Sequence, residues 1–216
     1  MAARGAFILV EGADRCGKST QCKMIVEWLQ SRGLDVEHIS FPDRSSLVTG
    51  AVLKDYLREG GLEPHVAHLL FSANRWEKVK EMEALLNAGK HLVVDRYAFS
   101  GIAYTVAKKS VSLEWASRPD TGLLAPDLVL YFHLDWESLR QRPGFGNEIF
   151  DTEQFQKDVQ AVFQTIRSHE SRDLWEIIDA NRPIHVIHEE IRDLVDRTIE
   201  RVGDQPLAAL SFSSFE

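Results

Sequence analysis

The chain has 216 residues, with 44% apolar and 27% charged side chains, the profile of a globular domain with a substantial core. A net charge of -8, with no lysine- or arginine-rich block, argues against polymeric DNA or RNA as a partner. No apolar run nears the roughly 20 residues that span a bilayer; Cys16 and Cys22 are too few for a disulfide framework or a zinc site. The apolar stretch after MAARG breaks at Glu11, too early for a signal-peptide core. A cytosolic location is expected, and a nuclear one is compatible.

Ala6–Val10 (AFILV) reads as a strand buried on both faces, ending at Glu11-Gly12. Lys18 to Gln30 reads as a helix with Met24, Ile25, Trp28 and Leu29 on one stripe, stopped near Gly33. Val36–Phe41 is a second strand, closed by Pro42, and a loop follows. The next long helix covers 65–87, with Val66, Leu69, Leu70, Ala73, Trp76, Val79, Met82, Leu85 and Leu86 on one face and Trp76 assigned to the core. His91–Val94, Leu128–Leu134 and Trp175–Ile178 are the remaining strands. Helices are expected over 100–108, 113–117, 137–142, 153–168 and 184–202. This alternation predicts a single α/β domain over 1–216, with about five mainly parallel strands covered by helices on both sides. The segment from Arg140 to Asn147 (RQRPGFGN) reads as a glycine-hinged lid, about 140–150, able to exclude water from a bound nucleotide. The C-terminal SFSSFE carries no motif.

Gly12-Ala13-Asp14-Arg15-Cys16-Gly17-Lys18-Ser19 fits G-x-x-x-x-G-K-[ST], directly after a buried strand and directly before a helix. The glycines let backbone N–H groups wrap phosphate oxygens, and the helix N-terminus adds a favourable field. Lys18 is placed to reach the β- and γ-phosphates, and the Ser19 hydroxyl to hold Mg²⁺. The pattern points to ATP or GTP and leaves the acceptor open. Asp14 is an odd neighbour for polyphosphate, and a sugar hydroxyl of a second substrate is its natural partner. Arg15 puts donors beside the transferring phosphoryl group. Cys16 fills a variable position.

Asp95 ends an apolar strand, so its carboxylate lies at the carboxyl edge of the sheet, where α/β folds hold ligands. It is placed for the Mg²⁺ shell. Arg96 is suited to a bidentate phosphate clamp, although an Asp-Arg pair is also a common structural ion pair. Arg44, after a strand-ending Phe41-Pro42 turn, points to an anion over the same edge. Phe71 and Arg75 share a helix face, a stacking surface beside a forked donor, which suits a flat base.

GADRCGKST (12–20), FPDR (41–44), FSANRWE (71–77) and VDRYAFS (94–100) together resemble the thymidylate kinases, in particular the eukaryotic type with its arginine in the P-loop. The resemblance runs from residue 5 to about residue 200. It implies a P-loop NTPase fold of the nucleoside monophosphate kinase kind, three layers deep. It also implies in-line transfer of a phosphoryl group from ATP, with Mg²⁺, onto dTMP to give dTDP on the way to dTTP, by a homodimer paired through sheet-flanking helices. By the same resemblance ATP is held by residues 12–20, with Thr20 closing the loop, by Arg142 from the lid and by Asn181-Arg182. The dTMP site would comprise Asp14 at the 3′-hydroxyl, Phe41, Arg44 and Arg96 at the phosphate, Phe71 stacked on thymine and Arg75 on its polar edge. Gly101 and Tyr104 would line the nucleoside pocket, the Tyr104 ring disfavouring a ribose hydroxyl. Phe150 departs from the family, which usually has tyrosine there. The lost hydroxyl should change affinity by one hydrogen bond, ~0.5–1.5 kcal/mol.

A phosphate monoester acceptor is mostly dianionic at neutral pH, so no general base is required, and charge neutralisation by Lys18, Arg15, Arg96 and an ion at Ser19 and Asp95 is expected to dominate. A deoxynucleoside kinase would need a base at the acceptor hydroxyl. A nucleotide-gated, non-catalytic binding protein is the other alternative. A GTPase switch normally carries N-K-x-D, and this chain does not.

Overall fold

β1 (Phe7–Gly12) is buried along its whole length and sits at the centre of a five-stranded sheet. Its alternation explains why both faces are covered. Phe7 and Leu9 enter one apolar cluster, and Ile8 and Val10 enter a second on the opposite side. The computed structural model describes residues 3–142, 152–169 and 174–212. β2 (Val36–Ser40), β3 (His91–Asp95), β4 (Leu128–His133) and β5 (Trp175–Asp179) complete the sheet in the order β2-β3-β1-β4-β5, all pairs parallel. The predicted parallel α/β architecture is what the chain forms.

Helices α1 (Lys18–Ser31) and α8 (Ile184–Val202) cover one face, contributing Ile25, Leu29, Ile191 and Val195 to its core. The other face is covered by α3 (Pro64–Asn87), α4 (Ala98–Val106) and α7 (Glu153–His169), with Met82, Leu86, Phe99 and Phe163 packed inward. α5 (Leu113–Ser117), a 3-10 turn at Arg118–Asp120 and α6 (Trp136–Arg140) fill the connections. No helix among the described residues is long and apolar enough to cross a membrane.

Several elements differ from the sequence reading. The loop after Pro42 contains a helix, α2 (Gly50–Glu59), seated by Leu53 and Tyr56 and ended at Gly60. With only two large inward side chains its periodicity is too short to stand out. In α3 the apolar stripe does not face the core along its whole length. Val66, Leu69 and Trp76 are 47%, 47% and 41% exposed, so Trp76 is not a core residue. The inward face of that half instead carries Ala67, His68, Ser72, Asn74 and Arg75. α4 starts two residues before the expected Ser100, because the buried Glu11 carboxylate accepts the N–H groups of Tyr97 at 3.0 Å and Ser100 at 3.1 Å. α6 ends at Arg140 rather than 142. Phe212 near the C-terminus packs as well: its ring makes a T-shaped contact with Phe99 at 6.2 Å. Most of the proposed lid, with Phe150, lies outside the described residues.

The register collects the functional motifs. Val10 and Ser40 both pair with Asp95, and Gly12 pairs with Phe132, so the P-loop, the Phe41-Pro42 turn and the end of β3 emerge at one edge of the sheet.

Candidate active site

Between β1 and α1 the chain wraps into the loop that the motif requires. Gly12 has φ 136°, and a Cβ there would lie 2.5 Å from the Phe132 carbonyl oxygen, so no other residue fits. Lys18 is buried, and its ammonium donates to the Ala13 carbonyl at 2.5 Å and lies 3.8 Å from Cys16 Sγ. The ammonium is thus folded back over the loop. Arg15, in the left-handed region at φ 62°, lines a cavity of about 840 Å³ with Lys18, Ser19, Thr20, Arg142 and Arg182. Arg142 donates to the Ala180 carbonyl at 3.1 Å, and Arg182 pairs with Glu190. Asn181 does not line this cavity; its amide turns to the Asp179 carboxylate at 2.8 Å.

The predicted metal pair comes together. Ser19 Oγ donates to Asp95 Oδ2 at 2.5 Å, while Asp95 Oδ1 is buried with no hydrogen-bond partner. Among the described residues no cluster of three or more His, Cys, Asp or Glu could cage a metal. A hydroxyl and one carboxylate with spare acceptor capacity fit Mg²⁺, which keeps waters and takes its other ligands from substrate phosphates. They do not fit a resident structural ion.

Asp14 and Arg96 form an ion pair at the mouth of the loop. Burial alone would raise the Asp14 pKa. The Arg96 and Lys18 charges outweigh it, with hydrogen bonds from Tyr104 (2.9 Å) and Arg96, and hold the carboxyl at about 2. The Arg96 guanidinium also stands 5.3 Å from the Tyr104 ring centroid and donates to Ser100 Oγ at 3.1 Å. Its backbone is left-handed at φ 67°. Desolvation works against its charge, but Asp14 and Glu11 outweigh that and keep it fully protonated.

A second cavity of about 240 Å³ adjoins the first and holds Phe41, Phe71, Arg75, Gly101 and Tyr104. Phe71 makes a T-shaped contact with Tyr56 at 6.0 Å and also lines the cavity. Arg75 is buried and gripped by Asp120 through Nε at 3.1 Å and Nη2 at 2.6 Å. A Cβ on Gly101 would stand 2.8 Å from both terminal nitrogens of Arg75, so the glycine is what lets the guanidinium lie there. Asp14, Phe41, Arg44 and Arg96 line both cavities. They form the shared wall.

Sequence reasoning missed Asp120, Glu11, Tyr56 and Lys108. Asp120 is 45 residues from Arg75, beyond any local pattern. Glu11 carried a signal: like Asp95, it is an acid at the end of a buried strand, and its interior position raises its pKa. Tyr56, which accepts from Lys108 Nζ at 2.9 Å, came from the unexpected helix.

A P-loop, two adjoining cavities and cations in their common wall, on a five-stranded parallel sheet, define a P-loop kinase that accepts a second nucleotide. The family model for thymidylate kinase matches residues 10–191. The chain is 45% identical to the thymidylate kinase of Danio rerio, covering 96% of this chain and 97% of that protein. It is 42% identical to that of Homo sapiens, covering 97% and 98%. The solved structure of a thymidylate kinase from Candida albicans superposes with a TM-score of 0.88 at 33% identity, covering 98% of this chain and all of that one. The chain belongs to the thymidylate kinase family.

Proposed function

We propose that this chain transfers the γ-phosphoryl group of ATP to the phosphate of dTMP, releasing dTDP and ADP. The observation that carries the reading is the shared wall: Asp14, Arg44 and Arg96 border both the P-loop cavity and the aromatic-lined one. Two anions brought to one wall repel each other, and cations fixed between them offset that repulsion. ATP phosphates would lie on residues 12–20, with Lys18 swinging from the Ala13 carbonyl to the β,γ-oxygens and Arg15 facing the transferring group. Ser19 and Asp95 would hold Mg²⁺, which supplies charge neutralisation when bound with ATP. dTMP would put its base between Phe71 and Arg75, its sugar against Tyr104 and Asp14, and its phosphate between Arg44 and Arg96.

Asp14 is a poor proton acceptor at neutral pH, with its carboxyl held at about 2 and engaged by Arg96 and Tyr104. This favours an acceptor that needs no base, a phosphate rather than a nucleoside hydroxyl. Pairing of two chains is part of the proposal, supported by the exposed stripe Val66, Leu69 and Trp76 on α3. So is action in the cytoplasm, supported by two free, buried cysteines. ADP release, followed with dTMP, dUMP, thymidine and other monophosphates in parallel, tests the reading. Turnover with dTMP and none with thymidine supports it; the reverse makes the chain a nucleoside kinase.

A further inference from the structure

Asn74 is fully buried on α3 and spends its whole amide on one loop. Its Oδ1 accepts the Asp43 N–H at 2.7 Å, and its Nδ2 donates to the Asp43 carbonyl at 2.9 Å, so one side chain holds both backbone groups of the residue before Arg44. The same Nδ2 reaches Thr49 Oγ1 at 2.7 Å and Ser46 Oγ at 3.2 Å, and those two hydroxyls lie 3.0 Å apart. Asp43 in turn accepts from Ser45 N at 2.9 Å, which tightens the turn from its other side. Arg44 itself is exposed at the common wall of the two cavities. Its guanidinium is long and flexible, and its reach is fixed only as well as its backbone is fixed.

We propose that Asn74 is a positioning residue for the acceptor's phosphate: it locks the 43–49 loop so that Arg44 meets that phosphate without an ordering cost. A helix is the rigid element best suited to the task. α3 already carries Phe71 and Arg75 on the base side, so Asn74 makes the same helix set the distance between base recognition and phosphate recognition. A side chain serving only stability would have no reason to converge on the backbone of the residue before Arg44. The proposal rests on Arg44 contacting the acceptor phosphate, as set out above.

The test compares dTMP with thymidine, which has the same base and sugar and no phosphate, by calorimetry on the wild type, Asn74→Ala, Arg44→Ala and the double variant. Loss of a charge-assisted contact predicts that Asn74→Ala weakens dTMP about tenfold or more, with thymidine changed by less than about twofold. The double variant should bind dTMP no worse than Arg44→Ala, because the two act as one unit. Thr49→Val, a smaller lesion in the same network, should weaken dTMP by a few-fold with thymidine unchanged; it decides the matter if Asn74→Ala does not fold. Equal weakening of both ligands, unchanged dTMP binding in Asn74→Ala, or additive losses in the double variant would overturn the proposal. If Arg44→Ala leaves dTMP binding intact, the Arg44 assignment fails first and this inference with it.

Discussion

Ser19 Oγ donates to Asp95 Oδ2 at 2.5 Å, and the second Asp95 oxygen is buried without a hydrogen-bond partner. A buried, half-satisfied carboxylate is costly, and an ion that completes its shell would offset that cost.

Asp95→Asn should therefore hardly affect the fold while lowering kcat by roughly 10²-fold and raising the Mg²⁺ concentration needed for half-maximal rate. Initial rates across a Mg²⁺ series, beside a thermal melt, read both. Chelating divalent ions should stop turnover in the wild type. A variant with wild-type Mg²⁺ dependence would remove Asp95 from the metal site.

Lys18→Met should abolish transfer with the fold intact, because the ammonium that now caps the Ala13 carbonyl is the cation proposed to reach the β- and γ-phosphates. For Arg15→Gly the loss in kcat should be ~10²-fold or more, by analogy with arginine fingers. Single-turnover rates at saturating ATP separate chemistry from binding. An unchanged Arg15→Gly rate would shift that role to Arg142, which lines the same cavity.

The Asp14 carboxyl, held at about 2 against an ordinary 3.8, gives a signed pH prediction. A depressed carboxylate contributes stability that is fully present above the unfolded value and is lost as pH falls through the folded one. Urea melts of wild type and Asp14→Asn should differ by about 2 kcal/mol less at pH ~2 than at pH ~5. A gap independent of pH would mean that Arg96 does not hold the carboxylate. Loss of activity on acidification should instead begin near pH ~6, where the acceptor phosphate takes up a proton.

Asp120→Ala leaves Arg75 buried and unpaired, a change that costs ~3–5 kcal/mol in comparable pairs. Beyond that destabilisation, KM for dTMP should rise several-fold while KM for ATP stays put, since Arg75 borders only the smaller cavity. Steady-state kinetics below the melting temperature check the split; equal changes in both KM values would make the pair purely structural.

Much of this was legible in the chain because its signals are local. A six-residue buried strand followed by glycine, lysine and serine specifies the phosphate cradle, and an acid ending β3 specifies its companion. What escaped was set by long-range packing. Trp76 and Leu69 look like core residues by spacing, yet α3 turns Asn74 and Arg75 inward because Asp43, Thr49 and Asp120 supply the partners that make burial tolerable. Those partners come from the loop that leads into α2 and from a 3-10 turn. No periodicity in α3 reports them.

The proposed transfer requires two anions to meet at one cationic wall, and calorimetry tests that directly. With the cradle saturated by a non-hydrolysable ATP analogue and Mg²⁺, titrated dTMP should bind once per chain without displacing the analogue. Competition between the two nucleotides, or no heat from dTMP at all, would contradict it.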